Sequence, residues 1–357
     1  VVSLGVGEPD FSTPWHIVES AIFRLEKGYT SYTSNKGMAE LRNEISRYVA
    51  AKRGVTYDPE SEILITVGVS EAMDIVLRAI LNPGDRVGVV KPSYVSYSPC
   101  VIMAGGEAVE LECGPKHDFK LTPEALEAAC AKGLKAIILN YPCNPTGVSY
   151  TKEELSVFVG IFEKHDLIVL SDEIYDTLTY DFDHTSLVSF PGMKERTVYF
   201  NGFSKGFAMT GWRIGYICAP EAITAMANKI HQYTILCAPI MGQFAAIEAL
   251  KSGEQEALSM KKEYRRRRNY LVEGLNELGL ATFTPQGAFY SYTNIEKTGL
   301  SSVDFAKSLL MKKKVAVVPG TAFSTAGDSY IRISYASSFQ NIKEALLRMR
   351  EYLDEAG

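Results

Sequence analysis

Residues able to do chemistry cluster first in the stretch Asn201-Gly-Phe-Ser-Lys-Gly-Phe-Ala-Met-Thr-Gly-Trp-Arg-Ile-Gly215. Lys205 follows an apolar, strand-like run, Thr197 to Phe200, and a Gly-Phe-Ser turn, which seats its amine in mostly apolar company. An amine attacks a carbonyl only when neutral, and apolar surroundings or a nearby cation lower a lysine's proton affinity. Arg213, between Gly211 and Gly215, offers a permanent fork of donors suited to a phosphate. Asp172 follows the apolar run Leu167 to Ser171, where a carboxylate is costly unless a cation pairs with it. Arg332 lies between Ile331 and Ile333, and a half-buried arginine needs an anion held through two parallel hydrogen bonds, as a carboxylate provides. In Asn140-Tyr-Pro-Cys-Asn-Pro-Thr-Gly147 the prolines hold Asn144 in a stiff loop, suited to an amide that must keep one orientation. Taken singly, these features also suit a loop lysine, a helix-capping Asp-Glu pair, a structural salt bridge and a plain turn.

An imine-forming lysine beside a phosphate-binding arginine is what pyridoxal 5'-phosphate (PLP) requires. Residues 202 to 215 resemble, position by position, the lysine signature of the class I/II aminotransferases, PLP enzymes of fold type I. Gly7-Glu-Pro-Asp10, Gly68-Val-Ser70, Asn144-Pro-Thr-Gly147, Ser171-Asp-Glu-Ile-Tyr175 and Ile331-Arg-Ile-Ser-Tyr335 follow in that family's order over nearly the whole chain.

The resemblance implies a role for each. Lys205 holds PLP and then serves as general base. Asp172 pairs with the protonated pyridine nitrogen, Tyr175 and Asn144 face the phenolic oxygen, and Tyr94 stacks on the ring. Val69, Ser70, Ser204 and Arg213 hold the phosphate. Arg332, with Asn144 and the backbone of Gly7, takes the substrate's α-carboxylate. Tyr32, in Gly28-Tyr-Thr-Ser-Tyr-Thr-Ser-Asn-Lys-Gly37, reaches the cofactor phosphate of a neighbouring subunit, which implies a homodimer. Glu173 is left as an outward or structural carboxylate. Two positions depart from the pattern: relatives specialised for acidic substrates carry lysine where this chain has Ser70, and many have Ser or Thr where it has Gly202.

Apolar patterning supplies the elements that must position these residues. Strands are expected at Ile63 to Val67, Arg86 to Val90, Ala108 to Glu112, Ala136 to Asn140, Leu167 to Ser171 and Arg213 to Ala219, with Gly68-Val-Ser70 as a turn. Helices are expected at about Met38 to Lys52, Glu71 to Leu81, Tyr97 to Ala104, Pro123 to Ala131, Lys152 to His165 and Ala222 to Glu248, the last kinked near Pro239. The alternation argues for an α/β doubly wound, mainly parallel sheet with its ligand crevice at the strand carboxyl ends. The short link between the strands flanking Lys205 makes that pair antiparallel. After a charged helix at Glu254 to Leu278, strands at Phe283 to Thr293, Val315 to Pro319 and Tyr330 to Tyr335 and a helix at Phe339 to Leu353 outline a smaller α+β domain. The expected organisation is residues 1–30 on the smaller domain, 31–254 as a large PLP-binding domain with a seven-stranded sheet in the fold type I manner, and 255–357 as the small domain.

Composition bounds the rest. A net charge of -5 over 357 residues gives no basic field for nucleic acid. The cationic run Lys261 to Arg268 reads as a solvated helix face. Six scattered cysteines without metal-ligand spacing argue for reduced thiols in a cytoplasm and no metal, and no apolar window is long enough for a membrane helix. The chain opens at Val1 without an initiating methionine, which leaves a preceding leader open. The expected activity is transfer of an amino group from an L-α-amino acid, aspartate or aromatic, to a 2-oxo acid such as 2-oxoglutarate. Carbon-sulfur β-lysis, 1-aminocyclopropane-1-carboxylate synthesis and a non-catalytic PLP-sensing regulator domain share the same parts.

Overall fold

Strands such as Ile-Leu-Ile-Thr and Ala-Ile-Ile-Leu are apolar on both faces, the pattern of a sheet covered on both sides by helices. In the computed structural model, which describes residues 1–355, they assemble in that way. The chain begins with β1 (Val2–Ser3), α1 (Trp15–Glu26), α2 (Ala39–Arg53), β2 (Ile63–Thr66) and α3 (Gly68–Ile80). Next come β3 (Arg86–Lys91), α4 (Tyr97–Met103), β4 (Glu107–Glu112), α5 (Pro123–Cys130), β5 (Leu134–Asn140), α6 (Lys152–Lys164) and β6 (Ile168–Asp172). They are followed by β7 (Thr197–Gly202), β8 (Gly215–Cys218), α7 (Glu221–Thr234), α8 (Ile240–Ser252) and α9 (Glu254–Glu277). The remaining elements are β9 (Tyr290–Asn294), α10 (Ser302–Lys313), β10 (Val315–Ala316), β11 (Val318–Pro319), β12 (Tyr330–Ser334) and α11 (Phe339–Asp354).

The large sheet has seven strands in the order β2-β8-β7-β6-β5-β3-β4. β8 runs antiparallel to both neighbours and every other pairing is parallel. Successive residues feed the two faces: Ile63, Ile65, Tyr199 and Tyr216 enter one core, and Leu64, Val198, Phe200 and Ile217 the other. A separate three-stranded antiparallel sheet, β11-β12-β9, shares a core with α9, α10 and α11 built from Tyr264, Leu271, Phe289, Phe305, Tyr335 and Ile342.

Several expectations need correction. Gly68-Val-Ser70 is the first turn of α3, not a turn before it. The helix expected over 222–248 is two helices. Leu236 takes a left-handed backbone (φ 74°), and Pro239, which has no N–H to donate, stands at the start of α8. The strand expected over 315–319 changes partner at Val317: β10 pairs with β1 and β11 with β12. Only Tyr290–Asn294 of the strand expected over 283–293 is one, because the chain before it turns through Ala288 (φ 56°). Segment 1–30 also divides, its strand on β10 and its helix against α8. The run Lys261–Arg268 is not all solvated. Arg267 and Arg268 share the buried face of α9 with Tyr264 and Leu271, and pair with Asp10 and Glu263, and with Asp181.

Candidate active site

Strand register brings the chemistry together. Asn140 pairs with Asp172, Asp172 with Phe200, and Gly202 with Gly215, while Thr66 also faces Gly215. The carboxyl ends of β2, β5, β6 and β7 thus share one edge, where a cavity of about 620 Å3 opens. Gly7, Val69, Ser70, Tyr94, Asn144, Asp172, Tyr175, Ser204, Lys205, Arg213 and Arg332 all line it. Tyr32 does not. It is 83% exposed and lies outside the chain's own cleft.

Lys205 sits in the tight link between β7 and β8, and its Nζ donates to the Gly7 carbonyl at 2.9 Å. Burial brings its pKa down to about 8, and Arg213 and Arg332 push the same way against Glu8 and Asp172. A far larger share of the amine is therefore neutral near physiological pH than for an ordinary lysine, although the charged form still predominates. Asp172 ends β6 at 4% exposure, its Oδ2 accepting the Tyr97 hydroxyl at 2.6 Å and its Oδ1 the Ile174 N–H at 3.2 Å. Burial pushes its carboxyl up to about 6, against those two hydrogen bonds, which favour the anion. Glu173, next in sequence, is structural. It is fully buried and accepts from Ser171, Tyr141 and Ser186, with His184 Nε2 2.7 Å away.

Around Arg213 two glycines permit a close approach. A Cβ on Gly215 would stand 2.6 Å from the Gly68 carbonyl carbon and 2.7 Å from the Val69 nitrogen, so the bare strand lets the first turn of α3 lie against it. A Cβ on Gly68, itself at φ 74°, would meet Arg213 Nη2 at 2.6 Å. Arg213 adopts a left-handed backbone (φ 56°) and donates to the Thr210 carbonyl at 3.0 Å. The guanidinium thus lies beside the N–H groups that open α3, with buried Ser204 on the same wall. Free N–H groups at a helix start joined by a permanent cation suit a phosphate.

Arg332 projects from the middle of β12 and is 7% exposed. Its Nη1 donates to Asn144 Oδ1 at 3.0 Å, its Nη2 to the Gly5 carbonyl, and its guanidinium lies over the rings of Tyr290 and Phe323. Its Nε is buried without a partner, and burial disfavours its charge. Among the described residues no carboxylate comes within ion-pair distance of Arg332 or Arg213. Tyr175 and Tyr290 join their hydroxyls at 2.8 Å, and burial raises the Tyr175 pKa well above the usual phenol range, keeping its proton on. Tyr94 is over a third exposed and meets Tyr97 edge to face.

Tyr97 and Tyr290 were missed as site residues, and the available signal differs. Tyr97 stands three positions after Tyr94, one helical turn, whereas nothing distinguishes Tyr290 from the core tyrosines around it. Glu8 and Thr210, hydrogen-bonded to each other across the mouth, were missed as well.

These groups fit PLP: a partly neutral lysine, a buried carboxylate able to face a ring nitrogen, a phosphate cradle, and a separate buried arginine for a carboxylate. The comparisons agree. The model for aminotransferase class I and II matches residues 1–349. An aspartate aminotransferase of Pyrococcus abyssi is 44% identical over 99% of this chain and 92% of its own length. An aromatic-amino-acid aminotransferase of Thermococcus litoralis is 42% identical over 99% and 92%. The crystal structure of an aromatic aminotransferase from Pyrococcus horikoshii superposes with a TM-score of 0.97 at 44% identity, over 99% of this chain and 96% of that one. With PLP it transfers an amino group between an amino acid and a 2-oxo acid, and the chain belongs to the aminotransferase class I and II family.

Proposed function

We propose that this enzyme takes its amino group from aspartate or an aromatic L-amino acid and passes it to 2-oxoglutarate, working as a cytoplasmic homodimer. The observation that carries the site assignment is the convergence of Lys205, Asp172, Arg213 and Arg332 on one cleft. When bound, PLP supplies an aldehyde that condenses with amines and a ring that accepts the electron pair left at the substrate's Cα. Lys205 Nζ would hold that aldehyde and, when free, serve as the base for the proton at Cα. The Asp172 carboxylate would keep the ring nitrogen protonated. Val69, Ser70, Ser204 and Arg213 would hold the phosphate, Asn144 and Tyr175 would donate to the phenolic oxygen, and Tyr94 would pack against the ring. Arg332 turns from Gly5 to the substrate's α-carboxylate, with Asn144 and the Gly7 backbone beside it. Movement of the C-terminal sheet, which carries Arg332, over bound substrate excludes water. Tyr32 completes the phosphate site of the partner subunit.

The donor choice rests on relatives named for aspartate and for aromatic amino acids, and the six free cysteines favour a reducing compartment. A panel of amino donors with 2-oxoglutarate tests the reading. Formation of glutamate from an aspartate or aromatic donor is expected. Release of ammonia without glutamate would place the reaction among the lyases instead.

A further inference from the structure

Tyr97 opens α4 and lines the cleft, with its ring centroid 5.7 Å from that of Tyr94 and the planes at 78°. Its hydroxyl lies 2.6 Å from Asp172 Oδ2, and both side chains are 4% exposed. The second carboxylate oxygen, Oδ1, accepts from the Ile174 backbone. Each oxygen thus has one donor, from two different elements, and the carboxylate is held against rotation. Burial and the Asp172 charge raise the Tyr97 pKa well above the usual phenol range, so the phenol keeps its proton and can only donate in this pair.

We propose that Tyr97 is a positioning residue for amino transfer: its hydroxyl keeps the Asp172 carboxylate ionised and aimed into the cleft. The inference rests on reading Asp172 as the partner of the cofactor's ring nitrogen. It adds what keeps a carboxylate charged at a depth where burial favours its neutral form. The other titratable groups that face Asp172 are Lys205 in the β7–β8 link, Glu173 and Tyr175 after β6, and Cys143 beside Asn144. Glu173 raises the proton affinity of Asp172 and Lys205 lowers it. Among the described residues, Tyr97 is the one side chain that donates a hydrogen bond to the Asp172 carboxylate; Asn140 Nδ2 donates to the Asp172 backbone carbonyl instead.

Tyr97→Phe removes one oxygen and keeps the ring that meets Tyr94 edge to face. The test measures PLP affinity by absorbance titration from pH 5 to 9, together with the single-turnover rate with an amino donor. The proteins compared are wild type, Tyr97→Phe, Asp172→Asn and the double variant. Loss of a hydrogen bond to a charged group should weaken PLP binding and slow turnover by about tenfold to a hundredfold at neutral pH. The acid limb of the affinity profile should move to higher pH in Tyr97→Phe. In the Asp172→Asn background the same substitution should cost much less, because coupled residues do not add. Equal losses in both backgrounds, or an acid limb that stays in place, would overturn the proposal. Asp172→Asn protein that binds PLP and turns over like wild type would instead overturn the reading of Asp172, and this inference with it.

Discussion

At the scale of single residues, the site works by setting two proton affinities against their ordinary values. Burial lowers the Lys205 pKa to about 8, so the fraction of neutral amine rises steeply as pH approaches that value. The rate at which cofactor-free protein captures PLP should therefore climb from pH 6 to pH 8 and then level off, as followed by absorbance. A rate independent of pH over that span would contradict the assignment. Asp172 moves the other way, from 3.8 to about 6, with burial as the main cause. A folded-state pKa above the unfolded one means that the stability from this group is full below pH 3.8 and is lost as pH rises through about 6. Asp172→Asn should thus stabilise the cofactor-free protein at pH 8 by up to roughly 3 kcal/mol, and leave it nearly unchanged at pH 4. Thermal unfolding at both pH values checks this. Asp172 and Arg332 stand out in the sequence because a charge at or inside an apolar run needs a reason, and Lys205 and Arg213 because of their spacing among glycines in a stretch that resembles the family's lysine signature. Tyr97 and Tyr290 do not, since a tyrosine between apolar neighbours is ordinary and their partners lie 75 and 115 residues away in the chain.

At the scale of elements, the proposed phosphate cradle depends on two backbones that approach more closely than any Cβ permits. Gly215→Ala would press a methyl group into the backbone of Gly68 and Val69, atoms that cannot step aside like a side chain. Forced overpacking of this kind costs about 1 to 3 kcal/mol, and here the strain falls on the N–H groups proposed to hold the phosphate. Gly215→Ala should lower both the unfolding temperature and PLP affinity. A variant that lost neither would remove the cradle from the account. The parallel core of the sheet and the antiparallel β7–β8 pair were readable from apolar runs and connection length. Boundaries that depend on partners were less so. Nothing local to Val317 announces that the chain passes there from β1's partner to β12's, and the salt bridges that bury Arg267 and Arg268 require Asp10 and Asp181 from distant segments.

At the scale of the whole molecule, the N-terminal segment ties the two sheets across the cleft. Gly5 and Gly7 accept from Arg332 and Lys205, Glu8 accepts from Thr210, and Asp10 from Arg267. No helix among the described residues is long and apolar enough to cross a membrane. The surface nevertheless exposes large apolar side chains, Trp15, Phe23, Tyr32 and Tyr233 among them. Their burial against a second copy of the chain is what the dimer proposal requires. If Tyr32 serves the partner's phosphate site, mixing the separately inactive Lys205→Ala protein with an impaired Tyr32→Ala protein should form dimers with one complete site. Activity should then rise above the sum of the parts, and strictly additive activity would count against a shared site.

The most direct test of the central claim, that Lys205 carries the cofactor, is borohydride reduction of the PLP-loaded protein followed by peptide mass spectrometry. A phosphopyridoxyl group is expected on the peptide that contains Lys205 and on no other. The same group on a different lysine, with Lys205 unmodified, would contradict the claim.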